Sequence, residues 1–189
     1  MINMTEERNK DLSRVKKLVL TAVLGAMAGL LMVIFKFPVP FIAPPYMTVD
    51  FGDTPSLIAG FALGPIAGVV SVVLKILINL LMNGTTTAYV GELSNVIVGS
   101  TFVLVSSLIY TYNKTQKGAL IGLVVGLISM TALATLSNYF FIFPLYGVPV
   151  ESFSWLAAFV VPFNLLKGGL NAILTFLLYK RVSNMFKKL

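Results

Sequence analysis

Three ionisable side chains lie within long apolar stretches of this sequence: Lys75, Glu92 and Lys167. A charged side chain in such a setting is unfavourable unless it is paired or faces a polar cavity, so each marks a candidate functional site. Each also has polar or small neighbours at helical spacing, which share its helix face. The three sets are Ser71, Lys75 and Asn79; Glu92, Asn95 and Gly99; and Asn164, Lys167, Gly168 and Asn171.

A fourth polar set has the same spacing and consists of Thr131, Thr135 and Asn138, with Ser137 beside them. A water-filled or ligand-filled cavity shared by four helices would satisfy all of these groups together. Amides, one carboxylate and one or two ammonium groups near aromatic side chains suit a flat heterocycle with a polar rim better than a lipid tail. The pattern therefore favours a site for a small aromatic ligand.

The same polar groups could instead hold helices together, through an ion pair between Glu92 and a lysine and through hydrogen bonds of Asn and Thr. For a single Ser or Thr, this structural role is the better interpretation, because such side chains commonly bond to their own helix. For Glu92, Asn95, Asn164 and Lys167 as a group, we favour ligand binding, since isolated structural pairs do not need so many polar atoms.

The composition excludes several kinds of chemistry. The 189 residues contain no Cys and no His, which removes disulfides, thiolate chemistry, the commonest metal ligand and the commonest general base. The sequence also has no GxxxxGK[ST] motif, no GxGxxG after a strand, and no evident pair of carboxylates at membrane depth. We therefore expect no metal, no resident cofactor and no nucleotide hydrolysis, so that any transport needs energy from a partner.

The solvent for most of this chain is lipid. The sequence is 57% hydrophobic and 11% charged, and its mean hydropathy is +0.91. Apolar runs occupy 18–35, 88–111, 118–143 and 155–179, and a longer run at 55–84 is interrupted by Gly64-Pro65. Because proline removes a backbone donor and disfavours helix in the residue before it, this dipeptide predicts a break between a short helix, 53–63, and a second helix, 65–83.

The distribution of basic residues decides between five and six spans. With six, the basic residues of the N-terminal segment, of the Lys114/Lys117 loop and of the C-terminal end share one side, and only Lys36 lies opposite. The positive-inside rule therefore predicts an all-α bundle of six transmembrane helices with both termini cytoplasmic. The net charge of +7 reflects this topology rather than nucleic-acid binding. We expect one domain, 1–189, with 1–17 in the cytoplasm.

The outer loops complete this topology. It places Asp50, Asp53 and Glu151 near the outer face. The connection 36–52, which contains four prolines together with Phe41, Tyr46 and Phe51, is stiff enough to serve as a lid. The outer aromatic residues Tyr89, Tyr146 and Trp155 are typical of a membrane-interface belt rather than of ligand contacts.

The first helix differs from the others because it carries small residues and no ionisable side chain after Lys17. Its stripe of Ala22, Ala26 and Gly29 would let another helix approach closely. The stripe could pack inside its own bundle or dock a second protein, and the residues alone favour neither.

Three segments resemble the riboflavin-specific S components of energy-coupling factor (ECF) transporters. They are DFGDTPSLIAGFALGP (50–65), KILINLLMNGTTTAYVGELSN (75–95) and VPFNLLKGGLNA (161–172). Ala22 and Ala26 match the AxxxA motif of that family's first helix. The resemblance covers essentially the whole chain, and its most specific part combines Gly91, Glu92 and Asn95 with Asn164 and Lys167.

The resemblance implies a six-helix membrane protein that captures riboflavin with high affinity at its outer face. It would deliver the vitamin to a transmembrane coupling subunit driven by two cytoplasmic ATPases. Ala22 and Ala26 would dock the coupling subunit, and Glu92, Asn164 and Lys167 would belong to the flavin site. Helix geometry adds three further candidates to that site, namely Asn95, Asn138 and Asn171.

Two alternatives remain at this point. One is an S component for another aromatic vitamin, such as folate or thiamin, because S components for different vitamins share the fold and the AxxxA motif. The other is a small membrane enzyme acting on a lipid head group. Such an enzyme needs a base or nucleophile, which only Glu92 or a lysine of depressed pKa could supply.

Overall fold

The computed structural model describes residues 2–43, 47–145, 147 and 156–187, and most of them are helical. The long helices are α1 (Ile2–Ile34), α2 (Asp53–Leu63), α3 (Pro65–Asn83), α4 (Val90–Tyr112), α5 (Gln116–Ser137) and α6 (Val161–Lys187). A π-helical turn, Asn138–Ile142, and a last α-turn, Phe143–Leu145, extend α5, and another π-helical turn, Leu156–Val160, precedes α6. Strands β1 (Phe37–Pro38) and β2 (Thr48–Val49) pair antiparallel, with Phe37 opposite Val49.

Five helical segments of the described chain are long and apolar enough to cross a membrane. They are Ser13–Ile34, Pro65–Asn83, Val90–Tyr112, Gln116–Leu145 and Ala158–Tyr179. The prediction of an all-α membrane protein is thus confirmed, whereas α2, with 11 residues, is too short to span a bilayer unaided. The number of spans and the side on which each end lies remain predictions.

The predicted break at Gly64-Pro65 is confirmed. Helix α2 ends at Leu63, Gly64 adopts a φ of +104°, and Pro65 is the first residue of α3, where its missing N–H has no helical partner to lose. The two helices then fold back on each other at a close crossing: a Cβ atom on Gly68 would lie 2.8 Å from Gly60 Cα. Glycine at both positions is what permits this approach.

Helix α2 occupies only one half of the bundle's height. At its start, a Cβ atom on Gly52 would lie 2.6 Å from both the Ala28 carbonyl oxygen and Lys75 Cδ, so this point is well below the end of α1 at Ile34. At its other end, a Cβ atom on Gly64 would lie 3.9 Å from Lys17 Nζ. Residues 47–52, which we call the recessed segment, therefore descend into the bundle and fill the half that α2 does not reach.

This recessed segment corrects the expected position of two carboxylates. Asp50 and Asp53 were predicted near the outer face, yet each is 1% exposed inside the bundle. Glu151, the third carboxylate of that prediction, lies outside the described residues.

Below the recessed segment, the half of the bundle around α2 is densely packed. Leu57, Phe102, Val103 and Leu123 are each at most 2% exposed and belong to one apolar cluster. Farther towards the end of α2, the rings of Phe61, Tyr110 and Tyr179 pack together, and the two tyrosine hydroxyls lie 2.8 Å apart in a hydrogen bond. We call these three residues the aromatic plug.

Candidate ligand-binding site

A cavity opens in the other half of the bundle, between α4, the π-helical end of α5, α6 and the recessed segment. The space within it, including its open mouth, is about 860 Å³. Four predicted site residues line it, namely Asn95, Asn138, Asn164 and Lys167. The apolar part of the lining includes Val98, Met130, Ile142, Phe143, Phe159 and Phe163. The cavity thus joins a polar set with an apolar, aromatic wall, as ligand sites commonly do.

Both π-helical turns contribute to this wall. Asn138 and Ile142 come from the turn that ends α5, and Phe159 and Val160 come from the turn that precedes α6. A π-helical turn is wider than an α-helical one and is frequent at functional sites. The apolar run at 118–143 thus lies in one helical segment, whose geometry changes after Ser137 where it meets the cavity.

The two cavity asparagines are oriented by their own helices. Asn138 Nδ2 donates to the Ala134 carbonyl at 2.8 Å, and Asn164 Nδ2 donates to the Val160 carbonyl at 2.8 Å. Each bond uses an amide N–H of the side chain and fixes the direction of its Oδ1. These residues are thereby placed to offer a ligand carbonyl-type acceptors.

The most polar part of the lining centres on Lys167. Its Nζ lies 2.9 Å from Asp50 Oδ2 and donates to Asn95 Oδ1 at 2.8 Å. Asp50 also accepts the Gly52 N–H on its other carboxylate oxygen, Oδ1, at 2.8 Å, so its charge faces both a buried ammonium group and a main-chain donor.

A second buried ion pair lies beside the first. Lys75, which is 0% exposed, pairs with Asp53, whose side chain also lines the cavity. The structural alternative of a Glu92–lysine pair is therefore wrong, because Lys167 meets Asp50 of the recessed segment and Lys75 meets Asp53, the first residue of α2. Sequence reasoning missed Asp50 and Asp53; two lysines embedded in apolar helices call for two carboxylates, and this charge balance was the available signal.

Glu92 lies at the edge of the site and is not part of the cavity lining. Its Oε2 accepts hydrogen bonds from Thr85 at 3.1 Å and from Thr87 at 2.9 Å. Both threonines belong to the α3–α4 loop, in which Ala88 and Tyr89 adopt positive φ angles of 47° and 68°. Glu92 thus anchors a strained loop whose Thr87 reaches the cavity.

Asn171 lies one layer behind the lining. It is 0% exposed, and its Nδ2 donates to the Asp50 carbonyl at 2.8 Å and to the Lys167 carbonyl at 2.9 Å. Its Oδ1 accepts from Thr54 Oγ1 at 2.9 Å. Asn171 therefore ties the recessed segment and the start of α2 to α6.

The small residues of α1 face in two directions. Gly25 and Gly29 pack against α3, where an added Cβ would lie 2.7 Å from Leu74 Cδ1 or from Ile78 Cβ respectively. Ala22 is exposed and Ala26 half-buried. The stripe therefore divides: Gly29 packs within the bundle, whereas Ala22 and Ala26 remain nearer the surface.

Of the residues predicted for the interface belt, Tyr89 is 61% exposed at the start of α4. Tyr146 and Trp155 lie outside the described residues.

The comparisons with known proteins agree with the resemblance seen in the sequence. The family model "ECF transporter, substrate-specific component" matches residues 16–179. A protein named riboflavin transporter RibU from Staphylococcus aureus (strain TCH60) is 35% identical over 194 residues, which cover 98% of this chain and 100% of that protein. Riboflavin transporter FmnP from Bacillus subtilis (strain 168) is 33% identical over 82% of this chain and 85% of its own.

A solved structure extends the likeness to the fold. It is described as the S component of a bacterial ECF transporter, is 38% identical, covers 92% of this chain and 99% of its own, and superposes with a TM-score of 0.78. Sequence and fold agree over nearly the whole chain. The protein is therefore a multi-pass membrane protein that belongs to the substrate-specific components of ECF transporters, and it is not an enzyme.

Proposed function

We propose that this protein captures riboflavin at the outer face of the cell membrane and delivers it to a transmembrane coupling subunit driven by two cytoplasmic ATPases. One observation carries the proposal: the cavity joins amide and ammonium groups to an apolar, aromatic wall. Two relatives that match most of this chain are named riboflavin transporters. Riboflavin combines a flat ring system, whose edge carries hydrogen-bonding atoms, with a chain of hydroxyl groups, and such a lining suits both parts.

In this proposal the polar residues divide into two groups. Asn95, Asn138, Asn164 and Lys167 contact the vitamin, because their side chains line the cavity. Glu92 and Asn171 do not line the cavity but hold its walls in place. Glu92 fixes the α3–α4 loop, and Asn171 fixes the recessed segment. The ligand therefore meets donors and acceptors that are already oriented, which lowers the entropy cost of binding.

The proposed topology has six spans with both termini in the cytoplasm. Helix α2 and the recessed segment before it together make the second crossing, which supports counting an 11-residue helix as part of a span. The basic residues near both chain ends and in the loop after α4 then share the cytoplasmic side. The cavity mouth lies on the outer side.

Ala22 and Ala26 form the proposed docking face for the coupling subunit. They are more accessible than Gly25 and Gly29, which are already in contact with α3. Small side chains at these two positions let a foreign helix come close to the α1 backbone.

The test is a titration of the purified protein with riboflavin, followed by flavin fluorescence and by the visible absorption spectrum. We expect protein purified from cells to be yellow and to quench one equivalent of added riboflavin. Binding of folate or thiamin without any binding of riboflavin would replace the proposed vitamin by another. Turnover of a lipid head group would contradict the proposal altogether.

A further inference from the structure

Among the described residues of the cavity lining, Lys167 is the one cationic group. An ammonium group has three N–H donors. Lys167 Nζ lies 2.9 Å from Asp50 Oδ2 in an ion pair and donates a hydrogen bond to Asn95 Oδ1 at 2.8 Å. Lys167 therefore faces the cavity with its charge compensated and can still donate to a ligand.

The other charged groups described near the cavity are either anionic or paired with a charge of opposite sign. Asp53, the charged lining residue of opposite sign, pairs with the buried Lys75. Glu92 carries a negative charge at the edge of the site, where it accepts hydrogen bonds from Thr85 and Thr87. Because charges interact strongly in a medium of low dielectric constant, an anionic ligand would need an uncompensated cation to replace its lost hydration. The described lining holds none.

Asp50 is held in place independently of any ligand. It is 1% exposed and does not line the cavity. Its Oδ1 accepts the Gly52 N–H at 2.8 Å, and its main-chain oxygen accepts Asn171 Nδ2 at 2.8 Å. The carboxylate is thus presented to Lys167 from behind the cavity wall by contacts that a bound molecule does not touch.

We infer that Asp50 is a specificity-determining residue: by holding and neutralising Lys167, it makes the cavity select an uncharged ligand over one that bears a phosphate. The inference rests on the proposed riboflavin function. With Asp50 in place, Lys167 donates one hydrogen bond to a neutral oxygen. Without Asp50, the same ammonium becomes an anion-binding group, because an uncompensated buried cation attracts a phosphate strongly in a medium of low dielectric constant.

The test compares riboflavin with riboflavin monophosphate, which differ only in the terminal phosphate. Both are titrated into the purified full-length protein, and the measured quantity is the ratio of their dissociation constants, monophosphate over riboflavin. Wild-type protein should prefer riboflavin. The variant Asp50→Asn should lower this ratio by about tenfold or more, because Lys167 is released to the phosphate.

The double variant Asp50→Asn/Lys167→Met is the matched control, and it also decides the question if Asp50→Asn fails to fold. It removes both charges together, which buried sites tolerate far better than the loss of one. Its ratio should stay within about threefold of the wild-type ratio, as expected if Lys167 is already neutralised in the native site.

Two results would overturn the inference: an unchanged ratio in folded Asp50→Asn, or a ratio in the double variant that rises well beyond threefold and so reveals Lys167 as a phosphate ligand in the native site. Absence of riboflavin binding by the wild-type protein would instead overturn the proposed function. The two failures are therefore distinguishable.

Discussion

At the scale of single residues, Asn164 and Lys167 are the side chains from which we expect the largest losses of riboflavin affinity. Asn164→Leu removes a pre-oriented acceptor from the cavity lining, and Lys167→Met removes a donor. Each should cost about 1–3 kcal/mol of binding free energy, which corresponds to roughly five- to 150-fold in dissociation constant. Fluorescence titration of the purified variants measures this change.

Leu165→Met is the control for these two variants, because Leu165 lies on the same helix but is 44% exposed. It should bind riboflavin as the wild type does. Unchanged affinity in both Asn164→Leu and Lys167→Met would assign the two residues to packing between helices rather than to ligand binding.

The second ion pair leads to a prediction about stability. Lys75→Met leaves Asp53 as an uncompensated buried carboxylate and should cost about 3–5 kcal/mol, and Asp53→Asn should cost a similar amount by stranding Lys75. The double variant Lys75→Met/Asp53→Asn strands neither charge and should recover most of the loss. Thermal denaturation in detergent compares the four proteins, and additive losses in the double variant would contradict the ion-pair account.

At the scale of elements, α1 offers a test that separates binding from transport. Replacing Ala22 and Ala26 by Trp should prevent close packing against the coupling subunit and abolish uptake, while the isolated protein keeps its riboflavin affinity because the cavity is built from other elements. The two measurements are titration of the purified variant and uptake by cells that carry it with its partners.

The matched control moves both tryptophans one residue along α1, to Val23 and Met27, which turns them about 100° around the helix. These positions are 50% and 49% exposed, so the control keeps the bulk and changes only the direction. Normal uptake by the Ala22/Ala26 variant would refute the docking assignment, and loss of riboflavin binding would show that the stripe packs within its own bundle.

The elements also show what could be predicted from sequence. The bounds of α2 and α3 follow from Gly64-Pro65, because a local backbone constraint ends one helix and begins the next. The π-helical turns at Asn138 and before Val161 could not be predicted, since the side chains suit an α-helix equally well. The partners of Lys75 and Lys167 were missed for another reason. Asp50 and Asp53 reach these lysines only because the chain before α2 enters the bundle, and this depends on contacts between residues far apart in sequence.

At the scale of the whole molecule, the proposed topology can be tested by chemical labelling, because the chain has no native Cys. Single cysteines at Lys114 and Gly147 lie in exposed positions at opposite ends of the helical segment Gln116–Leu145. An impermeant thiol reagent should reach Gly147→Cys from outside the cell and Lys114→Cys only after the membrane is opened. The unmodified chain gives the background, and labelling of both positions from the same side would rule out the six-span arrangement.

The densely packed half of the bundle around α2 and the aromatic plug together determine by which route a molecule in the cavity can leave. The cavity lies above tightly packed Phe102 and Val103, and the Tyr110–Tyr179 hydrogen bond closes the far end of the same bundle. A molecule in the cavity can therefore leave by the mouth through which it entered, but it cannot pass straight through the packed half. If the protein delivers its ligand as proposed, it does not provide a leak when transport is not driven, and the concentration gradient built up earlier is conserved.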